Sequence, residues 1–311
     1  MTEADYTRRY FSEGAGRWLA TAYGTETHPV SYPVGASRVR LALDAVCAHL
    51  GAPRGRLADL GCGGGDLCVE AAALGFEVTG IDIADGMIAE ADARRRVLPA
   101  AIRERLSFRV GDALGADLPK GGLDAVTALG LVEYLEDDAP FFRAAARSLR
   151  AGGVLVVSCR NRLFNVASLN DYTRKEIEAG AATGLLAELT TLRPGPELPR
   201  ALEALVARLR DAVPALEAAL AADRQAAPAP AVPGGFTGRR RQHTPRGLAA
   251  TATAAGFRDA HFLGVHPHPL PPALEAASPR FYNQLAAVFE ALEPSPASLA
   301  WSSAFLAVFT R

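Results

Sequence analysis

The chain is poor in cysteine, in net charge and in long apolar runs. Its four cysteines, Cys47, Cys62, Cys68 and Cys159, show no CxxC spacing, which argues against a zinc ribbon and against a disulfide framework. They read as reduced, small, buried side chains. Lys and Arg number 33 against 34 Asp and Glu, for a net charge of -1. No global positive field exists to hold a polyanion, so no nucleic-acid partner is expected. Nowhere do about eighteen apolar residues run together, as a membrane span requires. The opening "MTEADYTRRYFSEG" carries acidic residues and no apolar leader core, so no membrane partner and a cytoplasmic location are expected. Metal ligands are lacking too: His266 and His268 in "VHPHPL" have no third ligand at metal spacing, and no metal is expected. No internal repeat is visible.

What is present is ordinary for a globular protein. Apolar residues make up 49% and charged residues 22% of 311 residues, enough for one large domain with insertions or two small ones. Two helical patterns, "GRWLATAYG" and "SRVRLALDAVCAHLGAPRG", come first, with Ser37 as N-cap and Gly51 with Pro53 as the stop. From Leu57 the runs "RLADLG", "FEVTGID", "LSFRVGDA", "LDAVTALG" and "GGVLVVSCR" alternate with helix-length segments. That alternation predicts a parallel sheet covered on both faces. Residues 161–242 break the regularity. There Leu202, Leu205, Leu209, Val213, Leu216 and Leu220 form a helical stripe that Pro214 should kink or split, followed by the Pro- and Gly-rich "QAAPAPAVPGGFTGRRR". This reads as a helical lid insertion with a mobile return. Thr244 as N-cap, Pro245 at the first turn and Gly256 at the end predict another helix, and "DAHFLGVHPHPL" and "SSAFLAVFTR" predict two final strands.

The stretch Arg56 to Met87, "RLADLGCGGGDLCVEAAALGFEVTGIDIADGM", carries the chemistry. After a buried parallel strand the chain must turn sharply into a helix, and glycine allows both the turn and close approach of a ligand to the backbone. The helix N-terminus adds unpaired N–H groups. Asp82, closing the next strand, lies beside that loop because consecutive parallel strands joined by a right-handed crossover are neighbours. A carboxylate there accepts hydrogen bonds from two ribose hydroxyls. The spacing of Gly61, Gly63 and Gly65 is GxGxG rather than the GxGxxG of dinucleotide enzymes.

The segment resembles motif I of the class I S-adenosylmethionine-dependent methyltransferases. "GIDIADGM" resembles their acidic motif, "VGDAL" their third-strand motif, and "LDAVTALGLVEYLEDDAPFFRAAARSLRAGGVLVVS" their fourth strand, helix and fifth strand. The resemblance covers roughly Gly55 to Ser158. It implies a doubly wound, seven-stranded, mostly parallel α/β sheet with an antiparallel last strand. It divides the chain into N-terminal helices covering the cofactor site (1–54), a Rossmann-like core (55–160), the lid insertion (161–242) and the remainder of the core (243–311). It implies S-adenosylmethionine as cofactor. Asp59 would face the methionine amino group, and backbone from Gly61 through Cys62 and Gly63 to Gly65 would meet the amino-acid end. Asp82 would hold the ribose; Ile83, Met87, Gly111, Asp112, Ala113 and Leu129 would surround the adenosine, Asp112 at the adenine. Tyr134 stands where the family often has His, which leaves the base open.

Beyond the cofactor, Glu133 and Tyr134 follow the fourth strand at the ligand crevice of an open sheet. Arg160, Asn161 and Tyr172 follow the fifth and could grip a polar acceptor or cap helices of the insertion. His243, in "GRRRQHTP", is the histidine best placed to take a proton near neutral pH; its other reading is a helix-start residue bonded to backbone. The expected activity is methyl transfer to oxygen or nitrogen of a small-molecule acceptor, possible secondary metabolites included, by an enzyme that could be a homodimer. The DPPY-type motif and the Pro-Cys nucleophile of nucleic-acid methyltransferases are both missing. Two other functions stay open: a nicotinamide-dependent oxidoreductase, and a methyltransferase-like protein that binds the cofactor without transferring the methyl group.

Overall fold

A computed structural model describes residues 2–23, 32–115, 118, 120–226 and 236–311. The five predicted strands form, in chain order, β1 (Gly55–Leu60), β2 (Phe76–Asp82), β3 (Leu106–Val110), β4 (Leu123–Leu129) and β5 (Leu149–Arg160), and β6 (Arg258–Pro267) and β7 (Ser302–Thr310) complete one sheet. The order is β3-β2-β1-β4-β5-β7-β6. β1 to β5 pair in parallel, and β7 is antiparallel to both β5 and β6. The strand order reverses between β1 and β4, which opens a crevice at their C-terminal ends.

The helices before β1 are α1 (Glu3–Tyr23) and α2 (Val34–Leu50); α3 (Asp66–Leu74), α4 (Asp85–Arg96), α5 (Ala100–Arg103) and α6 (Ala139–Ser148) link the strands. The insertion holds α7 (Asp171–Glu178), α8 (Ala182–Leu189) and α9 (Leu198–Gln225). After it come α10 (Pro245–Ala254), α11 (Ala273–Ala277) and α12 (Pro279–Phe289). The core has two layers, one on each face of the sheet. Phe141 and Phe142 of α6, Leu248 of α10, Phe257 and Phe309 fill one. Val39, Leu43 and Val46 of α2, with Cys68 and Phe76, fill the other.

Several local expectations change. Ser37 is no cap: α2 begins earlier, after Pro33, and Ser37 is buried within it, its hydroxyl donating to Tyr32 Oη at 3.3 Å. Gly51 does end α2, with φ +71°. Thr244 caps α10 by accepting from Gly247 N–H at 3.0 Å. Pro214 lies inside α9 and does not split it. The apolar stripe of α9 holds in part: Leu216 is buried and Leu205, Leu209 and Leu220 are half-buried, whereas Leu202 and Val213 are exposed and Ala201 and Ala219 join the buried face. This face packs on α12, whose start Asp223 caps by accepting from Phe281 N–H at 3.0 Å and from Arg280 Nη1 at 3.1 Å. Much of the expected mobile return, residues 227–235, lies outside the described residues.

The sheet is not covered throughout on both faces. The β3–β4 connection, residues 111–122, holds no helix among its described residues. Glu77 and Thr79 of β2 and Ser107 and Arg109 of β3 therefore line an open groove, with Thr79 Oγ1 and Ser107 Oγ 3.0 Å apart.

Candidate active site

Between β1 and α3 the chain turns through Gly61, Gly63 and Gly65, all at positive φ. Gly65 shows why the residue must be glycine: at φ +78°, a Cβ would also sit 2.6 Å from the Phe108 ring. The loop is tied to β2, with Gly61 N–H donating to Ile81 O at 2.7 Å and Cys62 N–H to the same oxygen at 3.1 Å. Asp82 accepts from Gly63 N–H through Oδ2 and from Ala84 N–H through Oδ1, each at 2.9 Å. Burial raises its pKa and these amides oppose the rise. Each oxygen keeps a lone pair for a further donor.

A cavity of about 600 Å³ opens at this corner. Gly61, Gly63, Asp82, Ile83 and Met87 form one wall, and Gly111, Asp112 and Ala113 after β3 form the next. Leu129, Glu133 and Tyr134 at the end of β4 form the third. The scattered sequence motifs thus converge.

Six other expected residues are elsewhere. Asp59 is buried between the strands, accepting from Thr127 Oγ1 at 2.7 Å and from Cys68 Sγ at 3.6 Å. Burial pushes its pKa up to about 7, and it is off the cavity wall. Cys62 points inward beside Gly80, and Gly65 starts α3. Asn161 donates through Nδ2 to Leu299 O at 2.7 Å and to Ser302 O at 2.9 Å, so its amide pins the β5–β7 end. Arg160 lies over the exposed Tyr172 ring, 5.2 Å from its centroid, and neither reaches the cavity.

His243 is also displaced from the expected role. Its N–H donates to Arg160 O at 3.0 Å and its carbonyl accepts from Arg162 N–H at 2.8 Å, which zips it to the end of β5. Its buried Nε2 lies 3.0 Å from Asp138 Oδ2. Asp138 also accepts from Arg241 Nη1 and Nη2 at 2.7 and 2.9 Å. Burial would raise the Asp138 carboxyl, but the His243 and Arg241 hydrogen bonds hold it below its ordinary value. This cluster braces the return segment and is off the cavity wall.

Four wall residues carried no sequence signal of their own: Phe11 and Trp18 of α1, Arg38 of α2, and Arg240. Phe11 meets Trp18 and Tyr134 edge to face, at 5.6 and 5.4 Å between centroids. Phe236 stacks on Phe11 at 6.0 Å and meets Tyr134 at 5.1 Å. Ser12 Oγ donates to Asp85 Oδ1 at 2.6 Å. α1 is thereby fastened over the cavity, and no residue of 161–226 reaches its wall. The arginine run splits by partner: Arg240 donates to Glu133 Oε1 at 2.9 Å, while Arg241 serves Asp138. Arg38 Nε is buried and has no hydrogen-bond partner among the described residues.

A model of the methyltransferase domain matches residues 58–157. Ubiquinone biosynthesis O-methyltransferases from Xanthomonas campestris pv. campestris (strain B100) and Xanthomonas oryzae pv. oryzae (strain PXO99A) are each 37% identical over 120 residues. That is 39% of this chain and 49% of each relative, so the chain spans about half the length of the curated relatives it matches. Two solved structures share the fold at TM-score 0.56: magnesium protoporphyrin IX methyltransferase from Synechocystis PCC 6803 with bound S-adenosylhomocysteine, and geranyl diphosphate methyltransferase in complex with GPP and sinefungin. The first is 14% identical and covers 100% of both chains; the second is 18% identical and covers 100% of this chain and 99% of the other. The [4+2]-cyclase SpnF is also similar, at TM-score 0.55 and 16% identity, covering 100% of this chain and 96% of the other. The match and the sheet together make residues 58–157 a methyltransferase domain of the class I, Rossmann-like kind.

Proposed function

We propose that this chain, built on that methyltransferase domain, is an S-adenosylmethionine-dependent enzyme that methylates an oxygen or nitrogen of a small-molecule acceptor. The observation that carries the reading is Asp82, placed on the cavity wall by two backbone amides with lone pairs to spare. When bound, S-adenosylmethionine supplies a methyl group on a sulfonium, so the transferred carbon is already activated.

The chain's own residues fit that group. Asp82 would accept from both ribose hydroxyls, and Asp112 would stand beside the base. The bare backbone of Gly61 and Gly63 would lie along the amino-acid tail, where a side chain would obstruct approach. Arg38, whose buried Nε lacks a partner among the described residues, would take the tail's carboxylate. Phe11, Trp18 and Tyr134, packed edge to face on the cavity wall, would help to exclude water from the reacting region. Alignment and proximity are what these residues contribute.

A small acceptor is supported by the cavity's size and by the acidic Glu136 and Asp137 on its wall, which would repel a phosphate backbone. No helix among the described residues is long and apolar enough to cross a membrane. The four free thiols support a reducing, cytoplasmic setting. A homodimer remains part of the proposal and is read by sedimentation velocity. The nicotinamide alternative is disfavoured by β7, which enters antiparallel between β5 and β6, whereas the dinucleotide fold runs parallel there.

The test is calorimetric titration with S-adenosylhomocysteine and, separately, NADH. Saturable binding of the first and none of the second is expected. Binding of NADH alone would overturn the proposal. Formation of S-adenosylhomocysteine from S-adenosylmethionine with acceptors then distinguishes transfer from mere binding.

A further inference from the structure

We propose that Glu133 is the general base of the acceptor site, its Oε2 taking the proton from a hydroxyl or amine nucleophile as the methyl group arrives; this rests on the methyl-transfer reading above. Glu133 sits in the single 3-10 turn Val132–Tyr134 that follows β4, on the cavity wall and only 2% exposed. Its two carboxylate oxygens differ. Oε1 accepts from Arg240 Nη2 at 2.9 Å. Oε2 is buried and has no hydrogen-bond partner among the described residues. Buried carboxylate oxygens are almost always satisfied, so an orphaned one on a cavity wall points to a donor brought by the ligand.

The carboxylate is held in place from several sides. Arg241 N–H donates to Glu133 O at 2.7 Å, fixing its backbone. The Arg240 guanidinium lies 5.6 Å from the Tyr134 ring centroid, so the arm that grips Oε1 is itself positioned. The charged and titratable groups facing Glu133 are Arg38 of α2, Tyr134 of its own turn, Arg240 of the return segment and Cys159 of β5. Burial, then the Glu133 charge, raises the Tyr134 phenol, and the Cys159 thiol is raised in the same way. Both stay protonated at neutral pH, so neither competes as a base.

The step balances without another reagent. The nucleophile's lone pair forms the new bond to the methyl carbon, and the carbon–sulfur bond breaks with both electrons left on sulfur. The proton on the nucleophile passes to Glu133 Oε2 and then to water. Arg240 stays on Oε1 throughout and leaves Oε2 for the nucleophile's proton.

Glu133→Gln preserves shape and an oxygen for Arg240 but removes the base. Wild type, Glu133→Gln and Glu133→Asp are assayed with S-adenosylmethionine and three probe acceptors, catechol, 4-nitrophenol and tryptamine, while S-adenosylhomocysteine affinity is measured by calorimetry. The expected result is a fall in kcat of roughly 10²–10⁴-fold for Glu133→Gln. Glu133→Asp should recover part of the rate, and S-adenosylhomocysteine affinity should hold within about threefold, a shift small beside the rate loss a base accounts for. Which probes turn over separates hydroxyl from amine acceptors. An unchanged rate in Glu133→Gln overturns the assignment. So does a large loss of S-adenosylhomocysteine affinity, which would give Glu133 to the cofactor's ammonium group. Binding of S-adenosylhomocysteine without turnover of any probe also overturns the base assignment and leaves the cofactor site standing. Failure of wild type to bind S-adenosylhomocysteine overturns the methyltransferase reading itself.

Discussion

Gly63 N–H donates to Asp82 Oδ2 at 2.9 Å, so the glycine turn after β1 and the acidic end of β2 form one unit. The carboxylate braces the loop and faces the cavity at once. Asp82→Ala should therefore weaken S-adenosylhomocysteine binding by about 1–3 kcal/mol, the range for hydrogen bonds to a charged group. Titration calorimetry reads this directly, with thermal unfolding as the control for loosening of the loop. Unaltered affinity would remove Asp82 from the ribose.

Asp59 gives a pH signature of the fold. Burial raises its pKa from 3.8 to about 7, so the folded chain holds this proton where the unfolded chain releases it. Stability from this group is fully present below pH 4 and is lost as pH rises toward 7. Asp59→Asn keeps the shape and removes that dependence. The variant should gain on the order of 2–4 kcal/mol relative to wild type between pH 4 and pH 8, a ceiling set by 1.36 kcal/mol per unit. Denaturant unfolding at both pH values would show it, and parallel curves for the two proteins would contradict it.

The opposite sign belongs to His266. Burial first, then the neighbouring His268 and Arg38, lowers its pKa from 6.5 to about 3. Its ring stacks on Tyr32 at 4.1 Å between centroids. The folded chain keeps this imidazole neutral while the unfolded chain protonates it below pH 6.5, so stability falls on acidification through that window. At pH 5 the loss is about 2 kcal/mol from this group alone. His266→Gln should flatten the decline between pH 7 and pH 5 by about that amount. Because Asp59 runs the other way, comparing each variant with wild type is essential to the measurement.

His243 now carries a structural expectation. With its ring on Asp138 and its backbone in the β5 bridge, His243→Ala should lower stability by about 1–3 kcal/mol. S-adenosylhomocysteine affinity should stay unchanged. A catalytic loss with full stability would return the residue to the chemistry.

The cofactor corner was legible because its signals are local. A buried strand, a glycine turn, a helix and a second strand ending in Asp82 lie within 32 consecutive residues, Arg56 to Met87, and the right-handed crossover fixes their neighbourhood. Asp59 belongs to the same motif yet turns into the core. The single residue between it and Gly61 could not show that Thr127, 68 residues away, would claim its oxygen. Two members of the α9 stripe, Leu202 and Val213, fall outside the buried face for a related reason: helical periodicity shows that a face exists but not how far α12 will cover it.

The sequence by itself determined that the first two strands are parallel neighbours, the glycine turn and the place of Asp82, because period, turn chemistry and crossover handedness act over short separations. Only tertiary structure decided what closes the cavity. Phe11, Arg38 and Arg240 come from three separate segments and meet beside Glu133 because α1, α2 and the return segment bury their apolar faces against the sheet. That meeting depends on the balance of packing across the whole molecule, which no local pattern encodes.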